Sequence, residues 1–413
     1  MLQEYMDDLS VADNSAIYFM EVHFMYYVGI DIAKYKHECI IINDKHRVVK
    51  KSFTFSNDSS GFNFLLTILN KLKSKSKLKI GFESTGHYAT NIKVFLSSHK
   101  FTFMEFNPVL IRKFISTQSL RKTKTDKIDC EYIANYLMTV EYKPYPNRFY
   151  NIYSLKSLVR LYDSLVRNRT LYIVKLTNLL DHIFPEFKPF FNNRLSETAL
   201  YILSNYPSLD KIANMSNDTF TILHNISRGK FSSNQFVKLK SLAKNSIGNS
   251  NPYFELQLLS LISMLNECNK QVDILKSQID KIMKILKPHI LSIPGIGTIT
   301  AAIIYSEIGN FKSFSSADKI VAFAGLDVGL YQSGVSEYTG KMVKHGSSLL
   351  RYALMNATIP LLQYSPTFSA YYAKKRSEGK SHRVALSHLA KKLIRVMFTL
   401  ETKNIDFNSK LLA

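Results

Sequence analysis

The chain has 413 residues, 46% of them hydrophobic, enough for two or three domains with cores of their own. Its 54 Lys and Arg against 32 Asp and Glu leave a net charge of +22, which points to a polyanionic partner, nucleic acid before anionic membrane. No run of 18 apolar residues exists to span a bilayer, and three scattered cysteines (Cys39, Cys130, Cys268) form neither a disulfide framework nor a metal pair.

Residues 1–25 read as a disordered leader. Glu4, Asp7, Asp8 and Asp13 stand where a signal peptide would be basic, and Met20 or Met25 can serve as the start. The cysteine usage suits a reducing cytoplasm. From Tyr26, YYVGIDIAK predicts a strand that delivers Asp31 near its end, and residues 37–43 and 47–55 predict two more in an antiparallel meander. Residues 61–72 have helical periodicity. Residues 78–83 predict a strand ending on Glu83, followed by a helix, a strand at 101–106 and a helix opened by Pro108. The run KTKTDKIDCEYIANYLM (122–138) then places Asp126 and Asp129 three apart at the start of a further helix, on one face. A meander followed by alternating helices and strands is the order of a ribonuclease H-like α/β domain, expected over 26–146.

Two like charges held close need a cation or a shared proton between them, and carboxylate oxygens are the hard ligands Mg²⁺ prefers. Asp31, Glu83, Asp126 and Asp129 therefore form a candidate catalytic and metal-binding set. Phosphoryl transfer uses such carboxylates, converging from separate elements, to hold two divalent ions.

Residues 147–287 change character. Residues 153–184 and 254–286 repeat apolar positions at three-and-four spacing for over thirty residues each, which predicts coiled-coil helices around a polar, Asn- and Ser-rich stretch of short helical pieces. Residues 288–413 form the expected C-terminal domain, mainly helical. There the PGIG at 294–297, between two helical runs, reads as a helix–hairpin–helix. Gly295 and Gly297 allow its tight turn, which is expected to hold a DNA phosphate. A loop over 330–340 presents Ser333 before Gly334, with Lys341, Lys344 and Arg351 following to bind phosphate. A basic amphipathic helix over 373–398 contains Lys391 and Lys392 and is expected on a nucleic-acid backbone.

With these motifs in this order, the chain resembles the DEDD transposases of the insertion-sequence one-ten family over nearly its full length. The D-E-D-D set maps onto Asp31, Glu83, Asp126 and Asp129. The family's PGIG, AGL, Ser-Gly, K-x-G and LR motifs appear at 294–297, 324–326, 333–334, 344–346 and 350–351. The resemblance implies a Holliday-junction-resolvase-like first domain and Mg²⁺ as two ions, with Mn²⁺ as a substitute. It further implies attack by the loop serine to give a phosphoserine–DNA intermediate, guidance by a bridge RNA, and a dimer or tetramer in which the serine of one protomer meets the tetrad of another. The partners expected are element-end and target DNA and that RNA, with no membrane. The text GLDVGLYQSG departs from relatives that carry Pro after AGL and a doubled Ser/Thr before Gly-Gly; Ser333 is the expected nucleophile, with Ser336 as the alternative. The alternatives are a metal-dependent structure-specific nuclease with a water nucleophile and a non-enzymatic nucleic-acid-binding protein.

Overall fold

The structure, a computed structural model, describes residues 25–72, 75–118, 126–144, 149–333 and 336–409, so the expected leader falls outside it except for Met25. At some positions inside elements, among them Asp126, Ser333, Ser336 and Lys341, the backbone alone is described. The chain divides into two compact units, Met1–Ile152 and Tyr153–Ala413.

The first unit is built on one sheet. Strands β1 (Tyr26–Ile32), β2 (Lys36–Asn43) and β3 (Val48–Ser56) form the antiparallel meander, and helix α1 (Ser59–Lys71) leads to β4 (Leu78–Glu83). Helix α2 (Thr90–Ser98), β5 (Phe103–Phe106), α3 (Pro108–Gln118) and α4 (Asp126–Thr139) complete it. β4 lies parallel to β1 and β5 parallel to β4, giving the order β3-β2-β1-β4-β5. β1 and β2 are buried on both faces, which is why HECIIIN and YYVGIDI read as near-continuous apolar runs rather than alternating ones. One face packs against α1 and α2, where Phe62 meets Phe55 and Phe95 at ring-centroid distances of 6.3 and 4.9 Å. The other face packs against α4: Tyr27, Ile40 and Ile42 share a core with Cys130, Ile133, Ala134 and Leu137.

Gly29 sets the distance between that helix and the sheet. A Cβ added there would collide with the Cys130 carbonyl and lie 2.6 Å from the Ala134 nitrogen, both backbone atoms that cannot step aside. Gly29→Ala should therefore push α4 away from β1 and destabilise the unit by about 3 kcal/mol. Chemical denaturation of wild type and variant measures this directly, and an unchanged midpoint would show that α4 accommodates the methyl.

The second unit is helical apart from one hairpin. Helix α5 (Phe149–Ile183) runs 35 residues, followed by the short α6 (Phe187–Phe190), α7 (Glu197–Asn205), α8 (Leu209–Ala213), α9 (Asn217–Ile226) and α10 (Ser233–Lys244). Helix α11 (Pro252–Leu286) is again 35 residues long. The Ser-rich composition of the intervening stretch is capping chemistry. Ser196, Ser208, Ser216 and Ser232 each accept a hydrogen bond from a first-turn N–H, and Ser232 closes a capping box with Gln235. Leu176, Leu179, Leu180 and Ile183 of α5 share a core with Leu258, Leu261, Ile262 and Leu265 of α11. Leu155 and Val159 at the other end of α5 share a second core with Ile279 and Met283. The two long helices are therefore antiparallel.

That second core continues into the last third of the chain. It takes in α12 (Thr298–Ile308), α13 (Ala317–Phe323), the hairpin β6 (Val328–Ser333) and β7 (Ser336–Met342), and α14 (Ser348–Tyr364), α15 (Pro366–Ser377) and α16 (His382–Lys403). The basic helix expected at 373–398 is thus two helices. The chain turns at Gly379, whose φ of +78° ends α15, before α16 begins. No helix among the described residues is long and apolar enough to cross a membrane.

Candidate active site

Asp31 lies one residue beyond Ile30 on β1, and Glu83 one residue beyond Phe82 on β4; Ile30 and Phe82 are register partners. The two acids therefore reach the same level on adjacent strands about 4.8 Å apart. Asp31 shares a face with Gly29, and Glu83 shares one with Gly81. An added Cβ on Gly29 or Gly81 would meet α4, at Cys130 and Ala134 or at Leu137. Both acids thus lie on the face covered by α4. That helix begins at Asp126 and carries Asp129 in its first turn, one residue before the Cys130 carbonyl that touches Gly29. Asp31, Glu83 and Asp129 are all half-buried. The side chain of Asp126 lies outside the described residues, as do residues 119–125. Among the described residues no three His, Cys, Asp or Glu side chains are grouped as an ion-holding cluster, but the donor set is all carboxylate oxygen, which fits Mg²⁺ or Mn²⁺ and not a softer metal.

The same face holds an acid the motif reading passed over. Glu38 of β2 is the register partner of Asp31 and is 7% exposed. Its Oε2 accepts a 2.6 Å hydrogen bond from the Thr54 hydroxyl, while Oε1 is buried without a hydrogen-bond partner. Below it the Cys130 thiol is pushed up to about 12, by burial first and then by the charges of Glu38, Asp31 and Glu131.

In the second unit, the stretch expected as a loop is a hairpin. β6 and β7 pair antiparallel from Val328↔Met342 to Ser333↔Ser336, with residues 334 and 335 outside the described residues. Ser333 and Ser336 are therefore cross-strand partners at the hairpin's end. Their side chains, and that of Lys341, lie outside the described residues. The hairpin's base is fixed by the AGL, K-x-G and LR motifs together. Val343 N–H donates to the Asp327 carbonyl (3.1 Å) and Lys344 N–H to that of Gly325 (3.3 Å). Gly346, at φ +102°, has no room for a Cβ against the Phe323 carbonyl. Arg351 Nη1 donates to the carbonyls of Ala324 (3.1 Å) and Lys344 (3.3 Å), so one guanidinium nitrogen of a residue expected on phosphate is engaged in holding the hairpin's base. Lys344 itself is exposed, with φ +56°.

The base is tied in turn to α5 by a buried carboxylate that sequence reasoning missed. Glu307, at the end of the apolar helix α12, is 2% exposed. Arg160 of α5 donates to it through Nε (2.7 Å) and Nη2 (3.1 Å), Lys156 lies 3.5 Å away, and the Ser347 hydroxyl that caps α14 donates at 2.9 Å. Burial alone would raise this carboxyl. The Arg160 hydrogen bonds, the charges of Lys156 and Arg160 and the Ser347 hydroxyl outweigh it and hold Glu307 below its ordinary value.

Around the PGIG turn, what precedes is a single 3-10 turn, His289–Ser292, rather than a second helix, because Lys287 (φ +44°) and Pro288 end α11. Gly295 (φ +88°) lies against the Pro360 backbone of α14, and Gly297 caps α12. Thr298, at the N-terminus of α12, lines a cleft of about 590 Å³ together with Lys284, Lys287, Asp280 and Asp406. On α16, Lys392 sits with its ammonium 4.6 Å from the Tyr371 ring centroid, and burial followed by the Lys374 charge lowers its pKa. The same surface of α15 and α16 carries Lys374, Lys375, Lys380 and Lys391. His388 among them is held below its ordinary value by burial and by the last three of these lysines.

Two family models match the chain. A DEDD transposase model covers residues 28–185, which contain all four predicted acids. A model described as transposase, IS116/IS110/IS902 family, covers residues 287–373, which contain the PGIG turn, the serine hairpin and Arg351. The chain belongs to the IS110 family of transposases. As a transposase it is an enzyme acting on DNA. Its relatives include an uncharacterized 43.6 kDa protein of insertion element IS110 from Streptomyces coelicolor, 30% identical over 154 residues, which are 37% of this chain and 38% of the relative. A mini-circle protein of the same organism, named as a putative transposase for IS117, is 23% identical over 382 residues, 89% of this chain and 92% of its own. A pilin gene-inverting protein from Moraxella bovis is 24% identical over 389 residues, 93% of this chain and 98% of its own.

Proposed function

We propose that this transposase cuts and rejoins DNA through a phosphoserine intermediate at a metal-binding carboxylate site in a ribonuclease H-like domain, with target choice delegated to a bridge RNA. The observation that carries the reading is the convergence of Asp31, Glu83 and the first turn of α4 on one face of the sheet, with a serine pair held at the end of a braced hairpin. The strand order β3-β2-β1-β4-β5 with β2 antiparallel supports the ribonuclease H-like assignment. A relative whose name is pilin gene-inverting protein supports rejoining as well as cutting, since inversion of a gene requires both.

Asp31, Glu83, Asp126 and Asp129 would hold the divalent ions. Mg²⁺ bound there supplies Lewis-acid polarisation of the scissile phosphate. The Ser333 hydroxyl gives up its proton and forms the bond to phosphorus, and the leaving DNA oxygen takes up a proton as its bond breaks. Rejoining reverses this, so the phosphodiester's energy is conserved and no nucleotide cofactor is consumed. The Thr298 cleft and the α15–α16 lysines hold nucleic-acid backbone, and Lys344 adds positive charge at the base of the serine hairpin. The PGIG turn presents the N-terminus of α12 to nucleic-acid backbone, and the α5–α11 pair serves as a coiled-coil arm between protomers of a dimer or tetramer. Base specificity then resides in RNA–DNA pairing, as in other guided systems.

The test is strand cleavage of element-end DNA with cognate RNA across a Mg²⁺ titration. Asp129→Asn keeps the size of the side chain and removes its charge, and should lower the cleavage rate by at least about 10³-fold, the worth of several kcal/mol of transition-state stabilisation. Cleavage at the wild-type rate in chelator, or by the variant, would remove the metal site from the account.

A further inference from the structure

The acidic face contains one more carboxylate than the four-residue motif. Glu38 pairs in register with Asp31, so their side chains leave the sheet on the same side. That side is the one α4 covers, as Ile40, two residues along β2, shows by packing with Cys130, Ile133 and Ala134. Glu105, a half-buried acid on β5 of the same unit, is matched by Lys93 at 2.5 Å. Glu38 has no such partner: among the described residues no ion pair includes it, and its Oε1 is buried without a hydrogen bond. A buried carboxylate oxygen beside other acids is unfavourable unless a cation or a proton satisfies it. Thr54 holds Oε2, which fixes the carboxylate's plane and leaves Oε1 as the atom with capacity to spare.

We infer that Glu38 is a fifth carboxylate of the metal site, its Oε1 taking up the divalent ion bound at Asp31. This rests on the metal-binding reading above and extends it to a strand outside the motif. Asp31, Glu38 and Glu83 then present three carboxylates from three neighbouring strands, β1, β2 and β4, and the first turn of α4 closes the site from above.

Two readouts that need no DNA test the inference on the full-length protein. Calorimetric titration with Mn²⁺ alone should show Glu38→Gln binding at least about tenfold more weakly than wild type, the scale of losses when groups supporting a metal site are altered. Thermal unfolding in chelator should show the same variant melting higher than wild type, because an unsatisfied buried charge is gone, while its gain in melting temperature on adding Mn²⁺ shrinks. Unchanged Mn²⁺ affinity in Glu38→Gln alongside weakened affinity in Asp31→Asn would overturn the role of Glu38 and leave the metal site standing. Loss of fold, or a lower melting temperature in chelator, would assign Glu38 to holding Thr54 and overturn the inference equally. If wild type itself binds no Mn²⁺, the metal-site reading fails and this one fails with it.

Discussion

Ser333→Ala should lower the rate of DNA strand cleavage by at least about 10⁴-fold, the order expected when a covalent nucleophile is removed and its supporting groups remain. Ser336→Ala should keep the rate within about tenfold of wild type, since it removes a neighbour and not the attacking oxygen. The pair is informative because the two serines are register partners in one hairpin, so both substitutions disturb the same backbone to a similar degree. Single-turnover cleavage of element-end DNA separates them. A large loss in Ser336→Ala with Ser333→Ala nearly intact would move the nucleophile across the hairpin without changing the chemistry. Equal, modest losses in both would show that neither hydroxyl attacks.

Arg160→Met should destabilise the second unit by about 3 kcal/mol, because it strips the bidentate partner from a carboxylate that is 2% exposed. The figure is the low end for breaking a buried pair, since the Arg160 side chain is itself 57% exposed and Lys156 and Ser347 still reach Glu307. In a unit of this size the melting temperature should fall by roughly 6–12 °C. The pH dependence has a defined sign. Glu307 is held below its ordinary value of 4.5 when folded, so its contribution is fully present above that value and is lost as pH falls through the depressed folded value. The stability gap between wild type and Arg160→Met should therefore narrow below pH 4.5. A gap that holds constant down to acid unfolding would show that Arg160 acts through packing of its alkyl stem. Because Ser347 also caps α14, whose Arg351 binds the hairpin's base, the variant should further reduce cleavage at temperatures where it remains folded.

Much of this molecule could be read along the chain, and the reason is periodicity. The buried strands, the two 35-residue helices and the first turn at Asp126 all announce themselves in apolar spacing. What could not be read is what depends on register. Glu38 stands in HECIIIN as one polar residue in an apolar run; only its pairing with Asp31 reveals that it shares the acidic face. Glu307 ends an apolar helix like any cap, and Arg160, 147 positions earlier, gives no sign of belonging to it. Arg351 reads as a phosphate ligand because Lys and Ser surround it, yet its Nη1 is spent on the carbonyls of Ala324 and Lys344. The serine segment reads as a loop because its glycines and polar residues obscure a two-stranded alternation, and the helix expected through 373–398 breaks because one glycine takes a left-handed turn.

The central claim is that a serine of this chain becomes covalently joined to DNA at a metal-dependent step. The most direct measurement is to incubate the protein with labelled element-end DNA, cognate RNA and Mg²⁺, stop with detergent, and map the labelled peptide by mass spectrometry. The account predicts a detergent-stable adduct carrying its phosphate on Ser333, absent from Ser333→Ala and from Asp129→Asn. DNA cut to completion with no adduct at any time, and at the same rate in Ser333→Ala, would contradict it and leave water as the nucleophile.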